Sequence, residues 1–319
     1  MTRLLIAIVA ALAAAPVALA PVALADGPMR YSSQQGTGVL SADGTIRYTA
    51  VGAASGRSTT IEGISTRGGE IRSYDDLPGA YGVPIGVDGT GDGLSADGRA
   101  LVLGDVSYRY PRTRSAFAVV GLPSLRVRHV FALRGDFAFD ALSPDGSRLY
   151  LIQHVDRRDQ TRYVVRAYDI PTLTLLPGRV ADRTQKSWVM HGAPVSRTAS
   201  VDGRFVYTLY DNPGGFPFVH ALDTVRGVAH CVGLPWRGSD GGVYNMRLGL
   251  HGTRLSVHFA SGRRWVRVDT STWRVSPDHG GFPWWVLAVA AAVALVAVGA
   301  GYHRLRDGRR TGAFTPRTA

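Results

Sequence analysis

A five-residue motif returns along most of this 319-residue chain and fixes what it can fold into. Leu40-Ser41-Ala42-Asp43-Gly44, Leu94-Ser95-Ala96-Asp97-Gly98 and Leu142-Ser143-Pro144-Asp145-Gly146 are the clearest copies. Ala199-Ser200-Val201-Asp202-Gly203 is a fourth, and Leu248-Gly249-Leu250-His251-Gly252 is a degraded fifth. Units of about 50 residues imply repeated supersecondary structure rather than one irregular core. Asp-Gly between apolar runs signals a hairpin, because glycine accepts positive φ and the aspartate side chain bonds the turn backbone. A β-rich run follows each copy, as in Leu149-Tyr150-Leu151-Ile152 and Phe205-Val206-Tyr207-Thr208. Third strands ending on aspartate are expected at Tyr163 to Asp169, Phe218 to Asp223 and Trp265 to Asp269. Fourth strands are expected near Leu125 to Leu133 and Trp273 to Ser276.

These residues set the fold class: all-β, with about five four-stranded sheets. Glycine (39 residues) and proline (17) are too abundant for an all-α chain, and helical periodicity is confined to the C-terminal apolar stretch. Ser143-Pro144-Asp145-Gly146-Ser147-Arg148-Leu149-Tyr150, with Ala221-Leu222-Asp223-Thr224 and Arg267-Val268-Asp269-Thr270, resembles the extracellular YVTN and WD40-like β-propeller repeats. The resemblance runs from Val39 to Ser276. It implies a β-propeller and leaves the function open, because propellers host many activities. Five blades is the count the motif gives; six would need a blade without a copy of it.

The two ends carry an address. Met1-Thr2-Arg3, an apolar run from Leu4 and Ala23-Leu24-Ala25 before Asp26 have the form of a signal peptide, with Ala18-Leu19-Ala20 as a second cut site. Trp284 to Tyr302 carries no charge and, as a helix, spans roughly 28 Å, enough to cross a bilayer. Trp284, Trp285 and Tyr302 stand at its borders, and Arg304, Arg306, Arg309 and Arg310 follow it, which places that end in the cytoplasm. The expected organisation is a signal peptide over 1–25, a propeller ectodomain over 26–280, a transmembrane helix over 283–303 and a short basic cytoplasmic tail over 304–319. About seven residues, at most about 25 Å of chain, separate the last strand from Trp284, so the rim with the blade-linking loops is expected to tilt toward the membrane. The net charge is +12, of which the ectodomain keeps about +7. That bias favours anionic partners such as lipid headgroups or acidic wall polymers, and the lack of a compact basic run argues against nucleic acid. Cys231 is the only cysteine, so the fold has no internal disulfide.

No Gly-x-Ser-x-Gly, His-Glu-x-x-His, phosphate loop or Cys-x-x-Cys occurs. The chain is therefore expected to be a binding or scaffolding module, not an enzyme, for a protein, a wall polymer or a small ligand, and to carry no cofactor. The competing readings are a propeller hydrolase or lyase, a redox-associated subunit with its site in the central channel, and an envelope-assembly component. Asp88-Gly89-Thr90-Gly91-Asp92-Gly93 spaces its oxygens like half of a calcium loop, but Arg99 stands where the closing glutamate belongs. It reads better as a flexible connection than as a metal site. The longer loops hold Tyr81, Trp188, Met190, His191, Phe216, Trp236 and Arg237, residue types that favour interfaces. They form the expected binding rim, unless Trp188 and Trp236 plug the seams between blades.

Overall fold

The computed structural model describes residues 30–278 apart from 35–36, 107–109, 186, 188, 237 and 239–241. The signal segment, the apolar span 283–303 and the basic tail lie outside the described residues. Among the described residues, no helix is long and apolar enough to cross a membrane.

Five antiparallel sheets follow one another along the chain. The first is built from Gly38–Leu40, Ile46–Gly52, Ser58–Ser65 and Ile71–Pro78. The second holds Tyr81–Ile85, Ala100–Asp105, Arg114–Gly121 and Arg126–Arg134, and the third holds Phe137–Leu142, Arg148–His154, Arg162–Asp169 and Thr174–Leu175. Ala193–Ala199, Phe205–Asp211, Phe218–Asp223 and Val228–Gly233 make the fourth; Met246–His251, Arg254–Phe259, Arg264–Asp269 and Val275–Pro277 make the fifth. The fold is all-β and β-propeller-like. Two sheets exceed the expected four strands. Arg30–Ser32 joins the second sheet beside Tyr81–Ile85, and Met190–His191 pairs with Arg162 and Tyr163 of the third.

The repeat is explained by one bonding scheme. In each intact copy the serine hydroxyl donates to the aspartate two residues on, at 2.6 Å for Ser41–Asp43, Ser95–Asp97 and Ser200–Asp202 and 2.7 Å for Ser143–Asp145. The same hydroxyl accepts the backbone N–H five residues on, at Ile46, Ala100, Arg148 and Phe205. Gly44, Gly98, Gly146 and Gly203 all have φ near +70°, the conformation that calls for glycine. A second bond recurs where the third strand ends. Thr66, Leu122, Ile170, Thr224 and Thr270 each donate their N–H to the carbonyl of a residue just after the hairpin turn of their own sheet.

Sheet faces pack through three apolar clusters. Tyr48, Ala50, Ile61 and Leu77 of the first sheet meet Tyr81, Val83, Leu101 and Leu103 of the second. Phe117, Phe137, Leu149, Tyr150 and Tyr210 run through the second, third and fourth sheets. Val195, Leu209 and Val219 of the fourth meet Met246, Leu255 and Val257 of the fifth. Each fully buried aliphatic or aromatic side chain here is worth about 1.5–3 kcal/mol. The N-terminal strand is sealed into the second seam: the Phe139 N–H donates to the Tyr31 hydroxyl at 2.8 Å, and the Tyr31 ring lies where a Gly104 side chain would be.

Candidate functional site

The inner strand of the second sheet is interrupted. Tyr81 and Gly82 pair with Asp105 and Gly104, the chain then loops out from Gly86 to Asp92, and pairing resumes where Gly93 accepts the Val102 N–H. The loop is closed by Gly86 N–H to the Thr90 carbonyl at 3.0 Å and Thr90 N–H to the Asp88 carboxylate at 3.0 Å. This is the glycine-rich segment expected to be a slack connection, and that expectation needs correcting. A side chain on Gly91 would sit 2.2 Å from the Gly38 carbonyl of the first sheet. Asp88 accepts the Ser196 hydroxyl at 3.1 Å, and its other neighbour is Arg247 of the fifth sheet at 3.9 Å. Asp92 accepts Arg197 of the fourth sheet at 3.1 Å. The loop thus touches the first, fourth and fifth sheets from the second. Among the described residues no group of three or more metal-binding side chains gathers, and both loop carboxylates face arginines.

Arg197 is the centre of this hub. Besides Asp92 it donates to Asp140 of the third sheet at 3.0 Å and to the Thr208 hydroxyl at 3.1 Å. Burial works against its charge, but Asp92 and Asp140 beside it push its pKa above the usual arginine value. A cavity of about 530 Å³ opens over the hub, lined by Asp88, Asp92 and Arg197 below and by Ser95, Ala96, Ala199 and Ser200 of two motif turns above.

A second polar group fills the seam between the third and fourth sheets. Tyr163 and Tyr210 stack at 5.6 Å, His220 meets the Tyr210 ring edge-on, and Cys231 Sγ lies 3.6 Å from His220 Nδ1. A Cys–His contact invites a nucleophile reading, and its electrostatics oppose it. Burial, helped by Asp182, pushes the Cys231 thiol up to about 12. Burial also pushes the His220 imidazole below its ordinary 6.5. Both groups are neutral, the reverse of a thiolate–imidazolium pair. A third group, between the second and third sheets, places Asp136 against Arg112 at 2.9 Å and His154 at 3.5 Å, all three side chains nearly fully buried. Burial opposes the Asp136 charge, yet the bonds and charges of His154 and Arg112 hold its pKa below the ordinary carboxylate value.

Among the described residues, the side chains expected at the rim do not come together in one place. Tyr81 belongs to a strand and is buried at 7% exposure, its N–H on the Thr59 hydroxyl, so it is a seam residue. Trp236 packs edge-on against Trp265 at 5.1 Å, within the cluster joining the fourth and fifth sheets. Met190 leans on the core, while His191 is exposed and 3.6 Å from Asp159. Phe216 stands in a turn at 64% exposure. Trp188 and Arg237 lie outside the described residues. Sequence reasoning missed Arg197 and Asp140, although one signal was present: Phe137-Ala138-Phe139-Asp140-Ala141-Leu142 sets a single carboxylate in an otherwise apolar strand.

No family model and no curated protein sequence matches the chain. Similar solved structures include a hydrazine synthase from Kuenenia stuttgartiensis, 16% identical over 77% of this chain and 77% of that one, with a TM-score of 0.40. TolB from Acinetobacter baumannii is 15% identical over 72% of this chain and 52% of its own, with a TM-score of 0.39. A puromycin hydrolase is 16% identical over 78% of this chain and 38% of its own, with a TM-score of 0.45. None of these likenesses transfers a function. They do correct one expectation, that the chain is not an enzyme. Enzymes stand among the matches, so absence of short catalytic motifs does not set this chain apart from catalytic proteins.

Proposed function

We propose that the chain is a membrane-anchored, extracytoplasmic binding module that takes a small polar ligand, or the end of a longer polymer, in the cavity over Arg197. One observation carries this reading. The cavity, about 530 Å³, lies within the range of small-ligand sites and is floored by charged groups held in place by four sheets. Its walls combine the Ser95 and Ser200 hydroxyls and small residues of the motif turns with Leu94, Leu142, Val201 and Val206, so a ligand meets polar groups beside apolar ones. The apolar span 283–303 and the leader-like segment 1–25 support the address. Asp278, close to that span in sequence, accepts Arg267 at 2.7 Å and so ties the outgoing chain to the fifth sheet.

The test uses the full-length chain in detergent, mixed separately with low-mass solutes, wall polymer and proteins from an envelope extract. Retention that is lost in Ala199→Trp, which fills the cavity, supports the reading. Retention unchanged for all three fractions overturns it. The address is tested apart from the ligand, by reporter fusions placed on either side of the 283–303 segment; activity of a cytosolic reporter fused near residue 278 counts against export.

A further inference from the structure

A second cavity, about 420 Å³, lies apart from the hub, between the outer strands of the third and fourth sheets. Four of its lining residues are Arg148, Arg179, Arg183 and Arg226, and no aspartate or glutamate lines it. Two come from strands or turns of neighbouring sheets: Arg148 opens the second strand of the third sheet, and Arg226 stands in the last turn of the fourth. Arg179 and Arg183 lie on the connection between those sheets and are exposed.

The charge is not balanced locally. Among the described residues, no carboxylate lies within 4.0 Å of any of the four guanidinium groups. The carboxylates nearest in the fold turn their oxygens to other donors. Asp169, the cross-strand neighbour of Arg148, accepts the Thr172 N–H and hydroxyl at 3.1 and 2.6 Å. Asp223 accepts Arg204 at 2.8 Å and the backbone N–H groups of Val225 and Arg226. Asp182 accepts Thr184 and the Cys231 N–H. Arg148 Nε is buried with no hydrogen-bond partner.

Four like charges around one cavity repel each other unless an anion enters. Guanidinium forks match phosphoryl oxygens in pairs, better than they match a single-point anion. We propose that this cavity binds a phosphate-bearing ligand, whose phosphoryl group sits among Arg148, Arg179, Arg183 and Arg226. The chemistry is shared by soluble phosphorylated metabolites or polyphosphates and by phospholipid headgroups. This site stands independently of the cavity over Arg197.

The probes are inorganic tripolyphosphate and a water-soluble short-chain phosphatidate, titrated calorimetrically into the full-length protein at constant ionic strength. The variant pair Arg179→Gln/Arg183→Gln removes two exposed arginines of the site. The pair Arg57→Gln/Arg67→Gln removes the same charge from exposed turns of the first sheet and serves as the control. Tripolyphosphate affinity is expected to fall at least tenfold in the first pair and less than twofold in the control. Phosphatidate binding with the same dependence assigns a lipid headgroup as the source; tripolyphosphate binding without phosphatidate binding assigns a soluble phosphate. Equal weakening in the two pairs overturns the proposal, as does wild-type protein that takes up neither probe above a sodium chloride blank.

Discussion

Arg197 of the fourth sheet and Asp140 of the third form an ion pair at 3.0 Å, with side chains only 9% and 1% exposed. A buried pair of this kind contributes little net stability while intact and costs much when one partner is lost. Arg197→Met is therefore expected to destabilise the protein by about 3–5 kcal/mol, because Asp140 and Asp92 are left uncompensated. Adding Asp140→Asn to that variant restores part of the loss. Urea unfolding of the two single variants and the double variant checks this; losses that simply add would show that the pair does not act as a unit.

Acid is expected to act in two stages. The folded His220 has a pKa below its ordinary 6.5, so the folded state binds fewer protons than the unfolded one as pH falls. Stability present above about pH 6.5 is lost from there downward. Asp43, Asp145 and Asp202 sit below their ordinary 3.8, in each case first through the bond from the motif serine. Their contribution is present above that value and is lost as pH falls through the depressed pKa values. Thermal midpoints against pH should show both stages in the wild type and only the second in His220→Gln. Profiles that coincide between about pH 6.5 and pH 5 would remove His220 from the account.

Gly91 has no room for a side chain, since a methyl group there meets the Gly38 carbonyl at 2.2 Å. Its φ is not in the left-handed region, so Gly91→Ala tests contact rather than backbone strain. The expected cost is about 1–3 kcal/mol. Hydrogen exchange should quicken at Val39 and Leu40. Unchanged exchange there would mean that the loop does not bear on the first sheet.

Cys231 is expected to be inert. With its thiol pushed up to about 12, its thiolate is rare at pH 8. Alkylation by iodoacetamide should be roughly a hundredfold slower or more in the folded protein than in urea. Mass spectrometry of timed samples measures this, and equal rates would contradict the raised thiol pKa.

The sheets were legible in the sequence because each hairpin is local. Ser143, Asp145 and Gly146 define their turn within a few residues, and the strands expected at Tyr163 to Asp169 and Phe218 to Asp223 are observed at Arg162–Asp169 and Phe218–Asp223. The serine hydroxyl's second bond, to the N–H five residues on, explains why serine recurs, and composition alone does not show it. The site was less legible. Tyr81 and Trp236 looked like rim aromatics because sequence cannot separate a loop at a sheet edge from a strand sealed in a seam. Arg197, Asp140 and Asp92 come from three different sheets, and no spacing rule joins residues that far apart in the chain.

Arrays of similar units commonly lengthen or shorten by gaining or losing whole units, since each unit contacts only its neighbours. The segment from Gly86 to Asp92 breaks that independence, for it is supplied by one unit and received by three others. A duplicated second unit would bring two such struts to one axis, and a deleted one would take Asp92 from Arg197 and Asp88 from Arg247. Gain or loss of the second unit would therefore disturb contacts in three other sheets, not in its neighbours alone.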